Sequence, residues 1–467
     1  MASSHSLDAM DVTFDDKHTV TDAGLFLTAT LAQHLGLRDL CDEHVDLGDA
    51  DGHANVGHKA MTVIHSALAG GDSIDDCDDL RAGGTARVLG HGVLASSTIG
   101  TFLRSFTWGH ARQLDKVTGE LLGRAWAAGA GPGDDPVTID IDSSIHETYG
   151  VKKHGGAKFT HTKVRGYHPL YAHIADTGDV VHCRLRGGNA NTGRGAAGFV
   201  TETIGRVRAA GASGPITLRA DSGFYIGKVT AACRKAGVAY SITAKMNKAI
   251  RAAIDGIDDD AWEPIPYWLD DGADVAETTY RPFGKKAPEV RLIVRRVRPT
   301  PGSQLALFVD WSYHAIITDR DGDTVGLEAD HRRHAVVEDT IRDLKYGVGL
   351  NHLPSGVFGA NAAWLAFQTI AHNMARWTAR LGGLGQPPTQ PDEPVVEPDE
   401  PDEPVVEPGE PGNTIIETGT LRRRYLRPAG RITRSGGKKT LHLPLNWPWA
   451  EQFEAALAQI RSVVVVI

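Results

Sequence analysis

The stretch VTIDIDSSI, residues 137–145, decides the fold that we predict for this chain. It is a short, apolar, β-prone run that ends in Asp142 and two serines, which is typical of a strand with a carboxylate at its carboxyl end. Asp140, two positions earlier, is the alternative carboxylate. A strand of this kind places an acidic side chain at the rim of a sheet.

A second stretch repeats the pattern. ITLRADSGFY, residues 216–225, is again apolar and β-prone, and it ends in Asp221 followed by Ser222. Two such strands and a Glu from a helix supply three carboxylates that can converge. One Asp-Ser pair indicates little, whereas the ordered set Asp, Asp, Glu with a following Lys is much more specific.

The stretch that supplies the Glu is HRRHAVVEDTIRDLKYGVGLNHL, residues 331–353. On one helix, Glu338, Arg342 and Lys345 lie at i, i+4 and i+7 and share a face. His331 and His334 fall on the same face. This pattern suits a metal ligand beside a bound phosphate backbone, and the alternative is an amphipathic helix with solvated charges.

Converging carboxylates need cations, because like charges at close range raise each other's pKa. Two Mg²⁺ ions about 3.5–4 Å apart relieve that repulsion and hold the attacking and leaving oxygens of a phosphodiester. We therefore predict a metal site at Asp142, Asp221 and Glu338, with Mg²⁺ as the cofactor and Mn²⁺ as a substitute.

Seven stretches together carry a resemblance to a known family: DIDSS (140–144), RGYHPL (165–170), GNANTGRG (188–195), RADSGFY (219–225), EDTIRDLKYGVGLNHLPS (338–355), STIGTFLRSFTWGH (97–110) and LNWPWAEQFEAAL (445–457). The chain resembles the DDE transposases of bacterial insertion sequences, and most of all the insertion-sequence thirteen-eighty group. The resemblance implies an RNase-H-like α/β core, a mixed sheet flanked by helices, with an inserted β-rich subdomain and a helical N-terminal region.

Carried over residue by residue, the resemblance makes Asp142, Asp221 and Glu338 the catalytic carboxylates. Asp142 is preferred to Asp140 because related transposases place the first Asp directly before a hydroxyl pair. Lys345 follows Glu338 by seven residues, as the family's Tyr, Arg, Glu, Lys signature on the last helix expects.

The sequence departs from that signature at two positions. The Tyr and Arg of the family are His331 and His334 here. We still predict that these two side chains contact phosphate, together with Lys345 and Arg342.

The net charge of −9 looks unfavourable for a protein that binds DNA, but its distribution explains it. Residues 386–413 hold nine acidic residues and no basic one, and without them 49 acidic residues remain against 49 basic ones. This Pro-rich segment repeats PDEPVVEP and is predicted to be a disordered linker. Local basic patches then decide contact with nucleic acid.

The charge is inverted after the linker. Residues 420–445 carry eight basic residues between Arg422 and Lys439 and no acidic one, and SGGKK marks a turn. We predict a basic β-hairpin that follows the DNA backbone. Its phosphate contacts would be Arg422, Arg423, Arg424, Lys438 and Lys439.

The helical N-terminal region gives a weaker signal. We expect DNA binding there, with a helix over Ser96–Arg112 that turns Arg104, Trp108 and Arg112 toward the duplex, and the alternative is a bundle that only packs on the core. In the inserted subdomain the resemblance implies a Trp that stacks on a flipped base. The candidates are Trp262, Trp268 and Trp311, each of which could instead be a core residue.

The predicted organisation runs along the chain: a disordered N-terminus (1–15), the helical DNA-binding region (16–128), the catalytic core (137–248 and 326–385), the inserted β-rich subdomain (249–325), the acidic linker (386–413), and the basic hairpin with a C-terminal helix (414–467). No signal peptide and no membrane span are evident, so we expect a cytoplasmic, nucleoid-associated protein.

We predict a transposase that cleaves insertion-sequence ends with Mg²⁺ and transfers the freed 3′ end into target DNA. Its partners would be the terminal inverted repeats and target DNA, and it would act as a homodimer because strand transfer joins two ends. The alternatives are an RNase-H-like nuclease that does not join DNA, and a non-catalytic DNA-binding protein derived from a transposase.

Overall fold

The computed structural model describes residues 7, 10–50, 52–148, 156–267, 269, 272–300, 311–351, 353–385 and 416–465. The predicted linker 386–413, Trp268 and most of the predicted N-terminal tail lie outside the described residues. Within the described part, every helix is too short or too polar to cross a lipid bilayer.

The strands of the described chain are β1 (Thr19–Val20), β2 (Val137–Ser143), β3 (His146–Glu147), β4 (Lys158–Phe159), β5 (Arg165–Tyr167), β6 (Leu170–Ile174), β7 (Val180–Arg184), β8 (Ile216–Ala220), β9 (Ala239–Thr243), β10 (Glu263–Pro264), β11 (Ala273–Tyr280), β12 (Val290–Val297), β13 (Ser312–Thr318), β14 (Gly430–Ser435) and β15 (Lys438–His442).

The α-helices are α1 (Leu25–His34), α2 (Leu37–His44), α3 (Val56–Ala69), α4 (Ala86–Leu89), α5 (Ser96–Arg104), α6 (Trp108–Ala125), α7 (Ala196–Ala209), α8 (Gly227–Ala236), α9 (Lys248–Asp255), α10 (Thr324–Arg332), α11 (Val337–Arg342), α12 (Phe358–Leu381), α13 (Thr418–Leu421) and α14 (Ala450–Ser462). Short 3-10 or π turns extend several of them.

A nine-stranded mixed sheet forms the centre, in the order β10-β11-β12-β13-β9-β8-β2-β6-β7. β2, β8 and β9 are parallel, and β6 and β7 continue the sheet as an antiparallel hairpin. Helices cover this sheet, which confirms the predicted fold class. The order and directions of β7-β6-β2-β8-β9 are those expected of an RNase-H-like core.

The β-rich stretch between the second Asp and the Glu extends the same sheet. β13 pairs antiparallel with β9, and β12 and β11 lie beyond it. This edge has its own small apolar cluster, which includes Val275, Ile293 and Leu327. The inserted strands are therefore a continuation of the central sheet.

The helix α12 is the central packing element. Its side chains are buried along nearly its whole length, and Trp364 and Trp377 are almost completely shielded from solvent. It contacts α3, α5 and α6 of the N-terminal region, the edge strand β7, and α14. A helix that is apolar all round is stable only when it is covered on all sides, and this one is.

The N-terminal region differs from the prediction at one important place. Residues 96–112 form two helices, because α5 ends at Arg104 and α6 begins after Thr107, whose side chain caps it. Phe106 lies in the core between them. Trp108 is half exposed and packs against Phe358, and Arg112 is paired with Asp115 and Glu202.

The two ends of the described chain form a common body. β1 pairs with β14 of the C-terminal hairpin, and α1 packs against α14. The turn between β14 and β15 is Gly436–Gly437, as the SGGKK pattern predicted.

Candidate active site

The sheet brings two aspartates to one edge. β2 and β8 are adjacent and parallel, so the carboxyl ends of both strands lie together and carry Asp142 and Asp221. Both side chains line a cavity of about 1210 Å³. Asp142 accepts a hydrogen bond of 2.6 Å from the Ser143 N–H, and Asp221 accepts one of 3.0 Å from the Gly223 N–H.

The loop that carries Asp221 is tightly packed. A Cβ at Gly223 would lie 2.8 Å from the Thr192 side chain, so a larger residue would push away the neighbouring loop. That loop, residues 188–192, also lines the cavity. The glycine is required here for close approach.

The electrostatics of Asp142 distinguish it from an ordinary surface carboxylate. Burial, together with the nearby negative charges of Asp221, Glu338 and Asp140, raises its pKa to about 7, against the hydrogen bond from Ser143. Burial also raises the pKa of Asp221, while His334 and His168 oppose that change. A bound cation would relieve the repulsion between Asp142 and the carboxylates near it.

Asp140 has a different role. It is completely buried and accepts two hydrogen bonds from the Arg219 guanidinium, at 2.8 and 2.7 Å. Arg219 also contacts Asp330, 3.2 Å away on α10. This pair joins β2, β8 and α10, so Asp140 is engaged inside the protein.

The stretch 331–353 is not a single helix, which corrects the prediction. The helical run begins at Thr324, passes through a 3-10 turn at Arg333–Val336 and α11, and ends in a π turn at Asp343–Gly347. The predicted common face is therefore not kept. Arg342 points to the surface, where it pairs with Asp339 and Glu417.

Glu338 and Lys345 lie near Asp142 in different ways. Lys345 lines the cavity; burial lowers its pKa, and the charges of Glu147 and Asp142 oppose that change. Glu338 is exposed on α11 and does not line the cavity, although its charge acts on Asp142. Among the described residues, no group of three His, Cys, Asp or Glu side chains is placed to hold a metal ion.

The histidines in the signature positions face inward. The ring nitrogens of His331 bond to Ser241 and Thr243 of β9 at 2.8 and 2.9 Å, and burial lowers its pKa to about 3. His334 stacks on His331 and lies 3.4 Å from the Ile141 carbonyl. His331 therefore has both nitrogens occupied within the protein.

Two more of the predicted phosphate-binding residues, Arg422 and Arg424, contact other parts of the protein instead. The Arg422 guanidinium is buried and donates to the carbonyls of Ala67, Leu68 and Gly347. The Arg424 guanidinium lies over the Trp449 ring. Both arrangements differ from the exposed phosphate contacts that we predicted.

The remaining predicted phosphate contacts are on the surface. Arg423 is exposed, and so are Lys438 and Lys439 on β15.

The candidate stacking tryptophans surround an arginine. The Arg296 guanidinium lies 4.3 Å from the Trp262 ring centre and 4.4 Å from that of Trp311, and it is also paired with Asp274. Both tryptophans are half-buried. The Arg296 guanidinium therefore already occupies part of the ring surface that a base would stack on.

Sequence reasoning missed some of the cavity wall. Lys245 lines the cavity just beyond β9, and Phe159 lines it from β4. A signal for Lys245 existed, because β9 is the third parallel strand and its carboxyl end reaches the same edge as Asp142 and Asp221. Phe159 has no such signal, since its position depends on a small sheet formed by β3, β5 and β4.

A buried carboxylate anchors the turn that carries Lys345. Asp343 accepts hydrogen bonds of 3.0 and 2.8 Å from the Thr418 backbone and hydroxyl, and His372 and Arg376 lie beside it. Burial alone would raise its pKa, but these partners outweigh burial and lower it to about 2.

This arrangement predicts an acid-dependent loss of stability. Because the folded pKa of Asp343 lies below its ordinary value of 3.8, its contribution is present above about pH 4 and is lost as the pH falls toward about 2. We expect a loss of about 2 kcal/mol from this group. Urea unfolding over this pH range should show a shallower acid-side loss in Asp343→Asn than in the wild type.

The matched control for this measurement is Asp339→Asn. Asp339 is exposed and pairs only with Arg342 at the surface of the described chain. It should keep the acid-side loss of the wild type. An equal change in both variants would show that Asp343 is not the group responsible.

Comparison with known proteins gives one family. The pattern that defines the family described as transposase DDE domain group 1 matches residues 3–384. No curated protein matches the chain. Among solved structures, the piggyBac transposase in a synaptic complex with hairpin DNA is similar at 12% identity, over 78% of this chain and 77% of that one, with a TM-score of 0.39.

Proposed function

Since this chain belongs to the transposase DDE domain group 1 family, it is a DNA transposase, and we propose that Asp142, Asp221 and Glu338 are its catalytic carboxylates. One observation supports this most strongly. Asp142 and Asp221 leave adjacent parallel strands into one cavity, and Asp142 carries a pKa raised by burial and by the other two carboxylates.

Asp142 and Asp221 would hold divalent cations in the cavity, and Glu338, whose charge acts on Asp142 from α11, would complete the set. Oxygen donors suit Mg²⁺ and Mn²⁺, and the crowded negative charge around Asp142 suits a cation that neutralises it. Two bound Mg²⁺ ions would supply charge neutralisation at the scissile phosphate and activation of the attacking oxygen. Asp140 is left out of this set because Arg219 already holds it.

The chain's own residues would position the DNA. Lys345 and Lys245 line the cavity and would hold phosphate oxygens near the carboxylates. In the first step, water attacks the phosphorus at the element end and the bond to the 3′ oxygen breaks, which leaves a 3′-OH and a 5′-phosphate. In the second step, that 3′-OH attacks a target phosphodiester and displaces the target's own 3′ oxygen.

The test of this function is an assay with purified protein, Mg²⁺ and DNA that carries the ends of the flanking element. We expect end-specific nicking and joining, both lost in Asp221→Ala and in Glu338→Ala. Cleavage without joining would indicate a nuclease instead. Binding without cleavage, unchanged by either substitution, would contradict the catalytic assignment.

We further propose that two copies act together on DNA, because strand transfer joins two element ends. Light scattering of the protein with and without end DNA measures the stoichiometry. A complex of one protein chain with two DNA ends would exclude the homodimer.

The hairpin β14–β15 is the proposed backbone contact. Lys438 and Lys439 are exposed on β15, and Arg431 and Arg434 are exposed on the strand beside it. We expect the double variant Lys438→Ala with Lys439→Ala to weaken DNA binding and to reduce the slope of log K against log salt by about 2. Titrations at several salt concentrations measure this slope.

The matched control is Lys228→Ala with Lys235→Ala. Both lysines are exposed on α8, and their replacement changes the net charge equally. If the control lowered the salt slope as much as the hairpin variant does, the effect would come from overall charge and the hairpin assignment would be wrong.

A further inference from the structure

Phe159 is a large apolar side chain in an unusual place. It is 71% exposed, yet it lines the same cavity as Asp142 and Asp221. It lies at the end of β4, in the small sheet formed by β3, β5 and β4. Single exposed apolar residues are common on protein surfaces, but one at the wall of a polar catalytic cavity is available to whatever enters it.

The turn after Phe159 orders the backbone that carries it. Phe159 is paired with Arg165 across the hairpin, and the Thr160 N–H donates to the Val164 carbonyl at 2.8 Å. Lys163 takes a left-handed conformation, with φ of 64°, to close the turn. The backbone that carries the ring is therefore ordered before a ligand binds, which lowers the entropy cost of ordering this segment.

Two more rings belong to this wall. His161 and His168 also line the cavity, and their ring centres lie 5.7 Å apart. His168 is held in turn by a contact of 3.0 Å with the Ala190 carbonyl. Four rings thus line the cavity that contains Asp142 and Asp221, because Tyr225 lines it as well.

The chemistry of the cavity identifies what the rings would bind. The carboxylates and Lys345 suit a phosphate with its cations, and Asn189, which is exposed in the cavity wall, can exchange hydrogen bonds with a flat polar edge. A ligand with a phosphate at one end and a flat aromatic group within reach is a nucleotide. Base stacking on aromatic side chains is tolerant of sequence, because every base has a π face.

We propose that Phe159, with His161 beside it, forms a stacking site for an unpaired nucleobase next to the phosphate held at Asp142 and Asp221. The proposal rests on the proposed function, since it places the reacting strand in this cavity. It also implies that the strand is locally unpaired there, because a base inside a duplex cannot stack on a protein ring.

The experiment uses the full chain and a short oligodeoxythymidylate that carries one 2-aminopurine, with Ca²⁺ in place of Mg²⁺ to prevent cleavage. Stacking quenches the fluorescence of 2-aminopurine. We expect quenching with the wild type and with Phe159→Trp. Phe159→Ala should lose the quenching and bind between about fivefold and about a hundredfold more weakly.

The control variant is Phe14→Ala, since Phe14 is a fully exposed phenylalanine that does not line the cavity. It should quench and bind as the wild type does. Thermal unfolding of Phe159→Ala should match that of the wild type, because an exposed ring contributes little to folding.

The outcomes separate this proposal from the proposed function. If the wild type shows no quenching, or if Phe159→Ala quenches and binds like the wild type, the stacking site is wrong even when the wild type cleaves and joins element ends. If quenching depends on Phe159 but the wild type does not cleave, the stacking site is supported and only the catalytic assignment is wrong.

Discussion

Replacement of Asp142 by Asn is expected to reduce DNA cleavage by about a thousandfold or more, a loss of about 4 kcal/mol of transition-state stabilisation. The substitution keeps the size of the side chain but removes the charge that would hold a cation in the cavity. Single-turnover cleavage of end DNA measures the effect. Stability should not fall, because burial and neighbouring carboxylates already disfavour the ionised form of Asp142 in the folded protein.

Asp140→Asn is the comparison that decides between the two aspartates of β2. It leaves the Arg219 guanidinium without its buried partner, so we expect lower stability, with cleavage per folded molecule affected less than in Asp142→Asn. If Asp140→Asn stayed folded and lost cleavage while Asp142→Asn kept it, Asp140 would be the first catalytic carboxylate.

The second large effect concerns folding. Arg219→Ala is expected to lower the free energy of unfolding by about 3–5 kcal/mol, because it leaves the charge of Asp140 buried and unpaired. Both side chains are almost completely shielded from solvent. Urea unfolding followed by circular dichroism measures the change. It should exceed that of most single substitutions.

Arg333→Ala is the matched control, since Arg333 also pairs with Asp330, at 2.8 Å, but its side chain is 72% exposed. Exposed ion pairs contribute between about 0 and 1 kcal/mol. An effect of similar size for both arginines would show that burial of the Asp140 pair is not what makes Arg219 important.

The strands and their acidic ends were predictable from the sequence. The β-prone runs before Asp142 and Asp221 form β2 and β8, and the SGGKK stretch forms the turn between β14 and β15. These features depend on neighbours within a few residues, where sequence patterns are informative.

The incorrect predictions for residues 331–353 and for Arg422 have the same cause, which is contact with residues far away in the sequence. The helical run ends in a π turn at Asp343–Gly347, where Asp343 is bound by Thr418 from a distant part of the chain. Arg422 belongs to a basic cluster in the sequence, but its guanidinium donates a hydrogen bond to the Leu68 carbonyl in the last turn of α3. Partners of this kind cannot be read from local patterns, because the fold alone brings them together.

The inserted strands show the same limit. Their composition predicted β structure, but nothing in it indicated that β13 would pair with β9 and extend the central sheet. The local sequence of β9 does not specify which strand pairs with its free edge. Which strand fills it depends on the whole topology.

The pairing of β1 with β14 and of α1 with α14 has a consequence for how the protein is made. During translation the N-terminal helices leave the ribosome before α14, yet α14 packs against α1 in the folded protein. A polypeptide that stops before α13 would keep Asp142, Asp221 and Glu338 and still lack α14. We therefore expect a polypeptide that ends before α13 to aggregate rather than to act as a weakly active enzyme.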